Sequence, residues 1–481
     1  MKDGIKVLIF IFFISLFLLF FISPMDPDLG WHLKCGENFW SSGSFCSINT
    51  FSVLLPGYLW PNHAWLYDVS LYLIYNFGGF FGLSVFNSVI MILSFLFLYF
   101  SVKDKKFEKI FLIFLIIVFG FEIFSLGIRS QIFGILFFAI EIFLLLKSKE
   151  NEKMIFFVPL VFLIWANFHG SVIVGVILFG FFIFRKILFA NGNFIKDIGI
   201  FLISFLTPLI NPFGVQIYSD AWRHFAVVDL GKLIAEWTPP GFLVSFFIVL
   251  IGILFLILCF RNFEWRKSFI SILILGFGYI ALRERRNVPF YFMILFFIFF
   301  ELQDKKAFFE DLIKNKTIEK IFFIGVSLFF ILILIFYLPG NINSNLNFDN
   351  WCSKSLELGL NYPCSAVQFL SLQPVGNIFN AFEWGGFLIW KLPKDKIFVD
   401  GRMPAWKTSS GKSPYTIYLE TIQTQSGWQN TLKEYNFSYL LIGSGTFMDL
   451  ELNQNSSKYG WDEIYRDKIS VVWEKTNLNI S

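Results

Sequence analysis

The sequence predicts an α-helical polytopic membrane protein with a C-terminal extracytoplasmic α/β domain. Of 481 residues, 56% are hydrophobic and 15% charged, against roughly 25% charged in soluble domains. Apolar runs suited to a hydrocarbon core of about 30 Å recur along the chain as far as residue 338. From about residue 340 the composition becomes that of a soluble protein. The expected division is therefore a multi-span domain over 1–339, with a long outer loop at 25–79, and a separate soluble domain over 340–481.

The first run, Lys6 to Ser23, has neither a long basic segment before it nor a small-residue cleavage site after it. It is expected to be retained as a span. Further runs lie at about 80–102, 110–127, 131–146, 154–166, 171–188, 195–210, 241–260, 268–282, 288–302 and 319–338. Together they make about eleven transmembrane helices. Alternating the loops puts Lys103, Lys105, Lys106 and Lys109, then Lys147, Lys149 and Lys153, then Arg185 and Lys186 on one side. Arg261, Arg266, Lys267, Lys305 and Lys306 follow on the same side, the cytoplasm by the positive-inside rule. The N-terminus is then cytoplasmic, the 25–79 loop and the tail lie outside, and the setting is the plasma membrane.

The outer side has a different chemistry. All four histidines, His32, His63, His169 and His224, fall there, with Asp26, Asp28, Asp68 and Glu236. So do Arg129, Arg223, Arg283, Arg285 and Arg286. An Arg-Glu-Arg-Arg cluster that defies the positive-inside rule suits anion binding better than orientation. Cys35 and Cys46 share the first outer loop, and Cys352 and Cys364 the tail. Two local pairs on the oxidising side suggest disulfides Cys35–Cys46 and Cys352–Cys364, four free thiols being the alternative.

In the tail, GNIFN (376–380), KIFVDG (396–401) and YLLIG (439–443) read as buried strands, with helices such as PCSAVQFLSL and WQNTLKEYN between them. EIYRD and ISVVWEK read as a hairpin or edge strands. Strands alternating with helices imply a small α/β sheet. Ligands of such sheets sit at the carboxyl ends of the strands, which puts Asn380, Glu383, Asp400, Gly401 and Arg402 at the rim. For Asp400 and Arg402 a turn closed by a local ion pair is the alternative.

The most informative stretch is MDPDLGWH, Met25 to His32. Pro24 and Pro27 keep Asp26 and Asp28 out of helix where the first span ends. Carboxylates, histidines and arginines gathered outside a membrane suit a lipid-linked sugar, whose phosphate arginines would grip through paired, charge-assisted hydrogen bonds. A carboxylate there can deprotonate an acceptor hydroxyl or hold Mg²⁺ or Mn²⁺. No nucleotide cofactor is expected: the lone Gly411-Lys412-Ser413 lacks the upstream glycines of a phosphate loop. Nothing points to nucleic acid.

The chain resembles the GT-C superfamily of polyprenyl-phosphate-sugar-dependent membrane glycosyltransferases, and within it a widespread prokaryotic set of GT-C-like membrane proteins. The matching stretches are DPDLGWHLKCGE, WPNHAWLYD, WANFHGS, INPFG, EWTPP, RERRNVPF and FEWGGFLIWKL followed by FVDGR, in order from Asp26 to Arg402. The resemblance implies that Asp26 and Asp28 are the catalytic or metal-binding acids. It makes Arg129, His169, Arg283, Arg285 and Arg286 candidates for the lipid phosphate. His32, His63, Glu383, Asp400 and Arg402 complete the expected substrate-binding set. Ala64 stands where such proteins usually carry an acid, so a second acidic site in the first loop is not expected. Phe382 to Gly386 is also similar to the WWDYG segment of oligosaccharyltransferases.

The expected activity is transfer of a sugar from a polyprenyl-phosphate donor to a glycan, lipid or protein acceptor outside the membrane. Two rivals remain at this level. One is a flippase or transporter of lipid-linked glycans, for which Glu122 and Glu141 inside apolar runs are the only hints. The other is a degenerate relative acting as a scaffold through its outer domain.

Overall fold

A computed structural model describes residues 2–189, 193–226, 234–260, 268–302 and 316–476. Arg261, Arg266, Lys267, Lys305 and Lys306, and the side chains of Arg223 and His224, lie outside the described residues. The chain forms two compact units: residues 1–22 with 84–342, and residues 23–83 with 343–481.

The first unit is helical. Among the described residues, four helices are long and apolar enough to cross a membrane: Trp65–Phe100, Val172–Phe189, Phe242–Phe260 and Lys320–Ser344. Lys6–Leu19 and Ser271–Arg283 are shorter apolar helices. Expected spans at 154–166 and 195–210 contain helices Val158–Phe168 and Phe194–Leu206, of 11 and 13 residues, about 16 and 20 Å long. Val288–Leu302 is buried on all sides from Val288 to Phe300, as a helix apolar all round must be. Trp65–Phe100 breaks at Gly79, whose φ of 56° suits glycine, a few residues before the boundary between the units.

Charged side chains gather at both ends of this helical unit. At one end Lys149 and Arg185 both meet Glu301, at 2.9 and 2.6 Å, and Lys186 meets Asp197 at 2.7 Å. At the other, Arg129, Arg285 and Arg286 meet Glu236 and Glu122. The lysine-rich loops and the arginine set thus occupy separate clusters.

The second unit is built on a five-stranded sheet of order β2-β1-β3-β5-β4. The strands are β1 Asn377–Asn380, β2 Lys396–Ile397, β3 Tyr439–Gly443, β4 Trp461–Arg466 and β5 Ser470–Lys475. β1 runs parallel to β2 and β3, while β5 is antiparallel to β3 and to β4. The expected strand over 396–401 stops after Ile397 because the Asn380 side chain takes over: its Oδ1 accepts from the Phe398 and Val399 amides at 2.9 and 3.3 Å. Asn380 is therefore a fully buried structural residue, not a rim residue.

The first loop folds with this sheet. The Val53 amide donates to Ile397 O at 2.9 Å and the Ile397 amide to Phe51 O at 3.0 Å, so residues 51–53 extend the sheet beyond β2. Leu54 joins the core of Phe379, Phe398, Leu440, Ile442 and Trp473. Helix Leu29–Ser42 ends at Gly43, in the left-handed region at φ 69°. Cys35 is bonded to Cys46 and Cys352 to Cys364, with Cα separations of 5.6 and 6.3 Å.

One salt bridge in the tail makes a pH prediction. Asp449 accepts from both terminal nitrogens of Arg466, at 2.9 and 2.8 Å, and from the Gly445 amide. Burial raises its pKa, but the Arg466 bonds and the Gly445 amide outweigh this and hold it below the usual value. A carboxylate depressed in the folded state contributes stability above its unfolded pKa of about 3.9, and that contribution is lost as pH falls through the folded value. Wild-type melting temperature should therefore drop below about pH 4, and Asp449→Asn, already lacking the contribution, should show a shallower drop. Equal slopes would refute this.

Candidate functional site

The first helix ends at Leu19, and the second unit begins with a non-helical run through Pro24 and Pro27 that re-enters helix at Leu29. Asp26 and Asp28 occupy this turn. Asp26 is 2% exposed, and its Oδ1 accepts the Asp28 amide at 2.8 Å. Asp28 is partly exposed, and its Oδ1 accepts the Trp31 indole N–H at 2.9 Å. The two acids thus differ: Asp26 shapes the turn and Asp28 presents a carboxylate.

What surrounds the turn explains its glycines. A Cβ on Gly401 would lie 1.9 Å from Asp28 Oδ1, so the carboxylate rests directly on the Asp400-Gly401-Arg402 turn. A Cβ on Gly30 would lie 2.0 Å from Gly386 O, and one on Gly386 2.1 Å from Pro27 O. The helix Gly385–Lys391 therefore packs backbone to backbone on the acidic turn, which only glycine permits at both positions. Trp351, fully buried, donates its indole N–H to Pro24 O at 3.2 Å.

Asp400 and Arg402 form the local ion pair. Asp400 Oδ1 accepts Arg402 Nε and Asp400 Oδ2 accepts Nη2, both at 2.7 Å, with the side chains 0% and 1% exposed. The guanidinium lies over the rings of Phe51, Trp60 and Trp406 at 5.1 to 5.5 Å, clamping the first loop to the tail. Both side chains are buried, and their ion pair closes the turn that holds Gly401 under Asp28. His32 is likewise enclosed. Its Nδ1 bonds Asp68 Oδ1 at 2.5 Å, Asn62 donates to the other Asp68 oxygen at 2.7 Å, and its ring stacks on Trp31 and meets Tyr67 edge-on. Asn62 and Asp68 both lie in the WPNHAWLYD stretch, but nothing in that motif marks them as the partners of His32. His63 is half-buried in the turn before Trp65, and Glu383 is exposed.

The helical unit holds the arginine set. Arg129 and Arg286 both pair with Glu236, the latter at 3.5 Å, and Arg286 lies 4.3 Å over the Trp237 ring. Burial raises the Glu236 pKa, yet Arg129 and Arg286 together hold it below the usual glutamate value. Two guanidiniums on one carboxylate leave a net positive charge. Arg285 pairs with Glu122 and donates to Pro239 O, while Arg283 lies 3.4 Å from Glu284. His169 ends helix Val158–Phe168, its Nδ1 2.7 Å from Ser171 Oγ, which also accepts the Trp165 indole. Both oxygens of Glu141 are buried without a hydrogen-bond partner.

Among the described residues no group of three or more His, Cys, Asp or Glu side chains is placed to hold a metal ion. Asp26 and Asp28 offer two carboxylates, all hard oxygen donors, one of them partly exposed. That fits Mg²⁺ or Mn²⁺, which take one or two carboxylates and complete their shell with water and substrate phosphate.

No protein-family model and no curated protein matches the sequence. Solved structures do match in fold. Oligosaccharyltransferase AglB from Archaeoglobus fulgidus, in complex with an inhibitory peptide and a dolichol-phosphate, superposes with TM-score 0.58 and 11% identity over 99% of this chain and 74% of its own. ArnT from Cupriavidus metallidurans, bound to undecaprenyl phosphate, superposes with TM-score 0.52 and 11% identity over 98% of this chain and 97% of its own. Both are GT-C-superfamily membrane glycosyltransferases. The GT-C fold implied by the motifs is therefore the fold observed.

Proposed function

We propose that this chain is an integral membrane glycosyltransferase that moves a sugar from a polyprenyl-phosphate donor to an acceptor on the outer face of a plasma membrane. The observation that carries it is a fold shared along 98% of the chain with a transferase bound to undecaprenyl phosphate. About eleven spans, a cytoplasmic N-terminus and an outer tail complete this arrangement. It is a fold-level analogy, to which the chain adds its own chemistry.

Asp28 is the acid suited to act. As general base it takes the proton of the acceptor hydroxyl while that oxygen bonds the anomeric carbon, and the bond from carbon to the phosphate oxygen breaks. Polyprenyl phosphate leaves, and one displacement inverts the anomeric centre. The alternative is a divalent ion held by Asp26 and Asp28, which would neutralise the leaving phosphate and make the two acids ligands instead of base and support. Asp26, through its bond to the Asp28 amide, is a positioning residue. Arg129 and Arg286, with net positive charge beside Glu236, are assigned to the lipid phosphate.

The test is direct: purified full-length protein in nanodiscs, supplied with undecaprenyl-phosphate-linked hexoses, should release undecaprenyl phosphate. Donors that neither bind nor turn over would overturn the proposal. Arg129→Ala should raise the donor KM about tenfold or more, the loss of a charge-assisted hydrogen-bonded contact worth about 1.5–3 kcal/mol. An unchanged KM would remove Arg129 from the phosphate site.

A further inference from the structure

The five-stranded sheet has a reversal in its strand order. From β1 the chain moves outward to β2 on one side, then returns to place β3 on the other. In open α/β sheets the crevice between such strands, at their carboxyl ends, is where ligands bind. A cleft of about 540 Å³ lies there, lined by Ala381, which follows β1, and by Gly443, which ends β3, and rimmed by Asn361, Glu383, Tyr418 and Lys468.

The chemistry of this cleft selects a ligand. The turn Gly443-Ser444-Gly445-Thr446, between β3 and the helix Phe447–Tyr459, has the look of a phosphate-binding loop. Its amides are already committed. The Ser444 amide donates to Ile469 O, the Gly445 amide to Asp449 Oδ2 and the Thr446 amide to Gly443 O. Asp449 occupies the helix start as a resident anion, so a phosphate has neither free donors nor favourable charge there.

Side chains remain. Among the described residues, the side chains of Glu383, Asn361 and Lys468 line the cleft with no hydrogen-bond or ion-pair partner, and Tyr418 forms part of its wall. A carboxylate, an amide and an ammonium together accept and donate hydrogen bonds in several directions with no net charge. An uncharged molecule dense in hydroxyls matches that set, and an anion or an apolar ligand does not.

We infer that the tail sheet carries a second binding site, a carbohydrate site at the β1/β3 crevice, built by Glu383, Asn361 and Lys468 and separate from the Asp26–Asp28 turn. It would hold a neutral glycan whether or not that glycan is being modified.

The test uses the full-length protein in nanodiscs without lipid donor. Maltotetraose, cellotetraose, mannotetraose and chitotetraose are the probes, read by saturation-transfer difference NMR. At least one should give a signal that falls fivefold or more in Glu383→Ala and in Lys468→Ala. Both residues are exposed, so melting temperature should hold in both variants. Glu420→Ala, which removes a surface carboxylate paired with Lys412 and not part of the cleft, should keep the wild-type signal. No signal from any probe overturns the inference, as does a wild-type signal in both cleft variants or a uniform loss in all three. Because no donor is present, failure here leaves the proposed transfer standing, and failure of transfer leaves this result standing.

Discussion

Asp28→Asn should lower sugar transfer at least about 100-fold, the contribution expected of a positioned general base, with donor binding changed less than threefold. Asparagine keeps the shape and the oxygen that accepts the Trp31 indole, so the loss reports the missing charge and basicity. Asp26→Asn should cost about tenfold or less, because an amide oxygen can still accept the Asp28 N–H that Asp26 Oδ1 takes. The measurement is release of undecaprenyl phosphate by each variant at matched expression. Equal losses would mean that both carboxylates act on substrate or metal together, and full activity in Asp28→Asn would end its role as base.

Gly386→Ala should destabilise the protein by about 3 kcal/mol, the upper range for overpacking a filled site. The added methyl would press on Pro27 O at 2.1 Å, and that oxygen is backbone, with no rotamer into which to retreat. Gly30→Ala, aimed at Gly386 O at 2.0 Å, should behave alike. The comparison is Gly276→Ala, a helical position with nothing within 4 Å of its Cβ, where replacing glycine should gain about 0.5–1 kcal/mol. Thermal unfolding in one detergent decides. If Gly386→Ala melts with wild type, the close packing of the acidic turn is not what holds it.

Much of the tail was legible in sequence because its strands are short apolar runs bounded by turn residues: YLLIG is β3 residue for residue, and GNIFN contains β1. β2 was overestimated because the competitor for its amides is a side chain, Asn380, and side-chain capping leaves no periodic trace. The acids of the turn could be picked out by position beside an apolar run, but not told apart, since burial separates them and the burial comes from distant segments. The glycines of FEWGG and FVDGR were legible as motif and illegible as cause. Their partners, Pro27 and Asp28, lie across the whole helical part of the chain. The roles of Asp400 and Arg402 turned on three aromatic rings, two of them from the first loop, that no local pattern links to the tail.

The bridge that residues 51–53 make to Ile397 beside β2 has a bearing on how the molecule is made. A ribosome supplies the Asp26–Asp28 segment first and Ile397, Gly386 and Gly401 several hundred codons later, at about 5–20 residues per second. Until synthesis is nearly done, the acids therefore wait without the scaffold that orients them. A chain ended before Gly386 would lack the segments that pack against this turn, so the proposed chemistry would wait for the final domain.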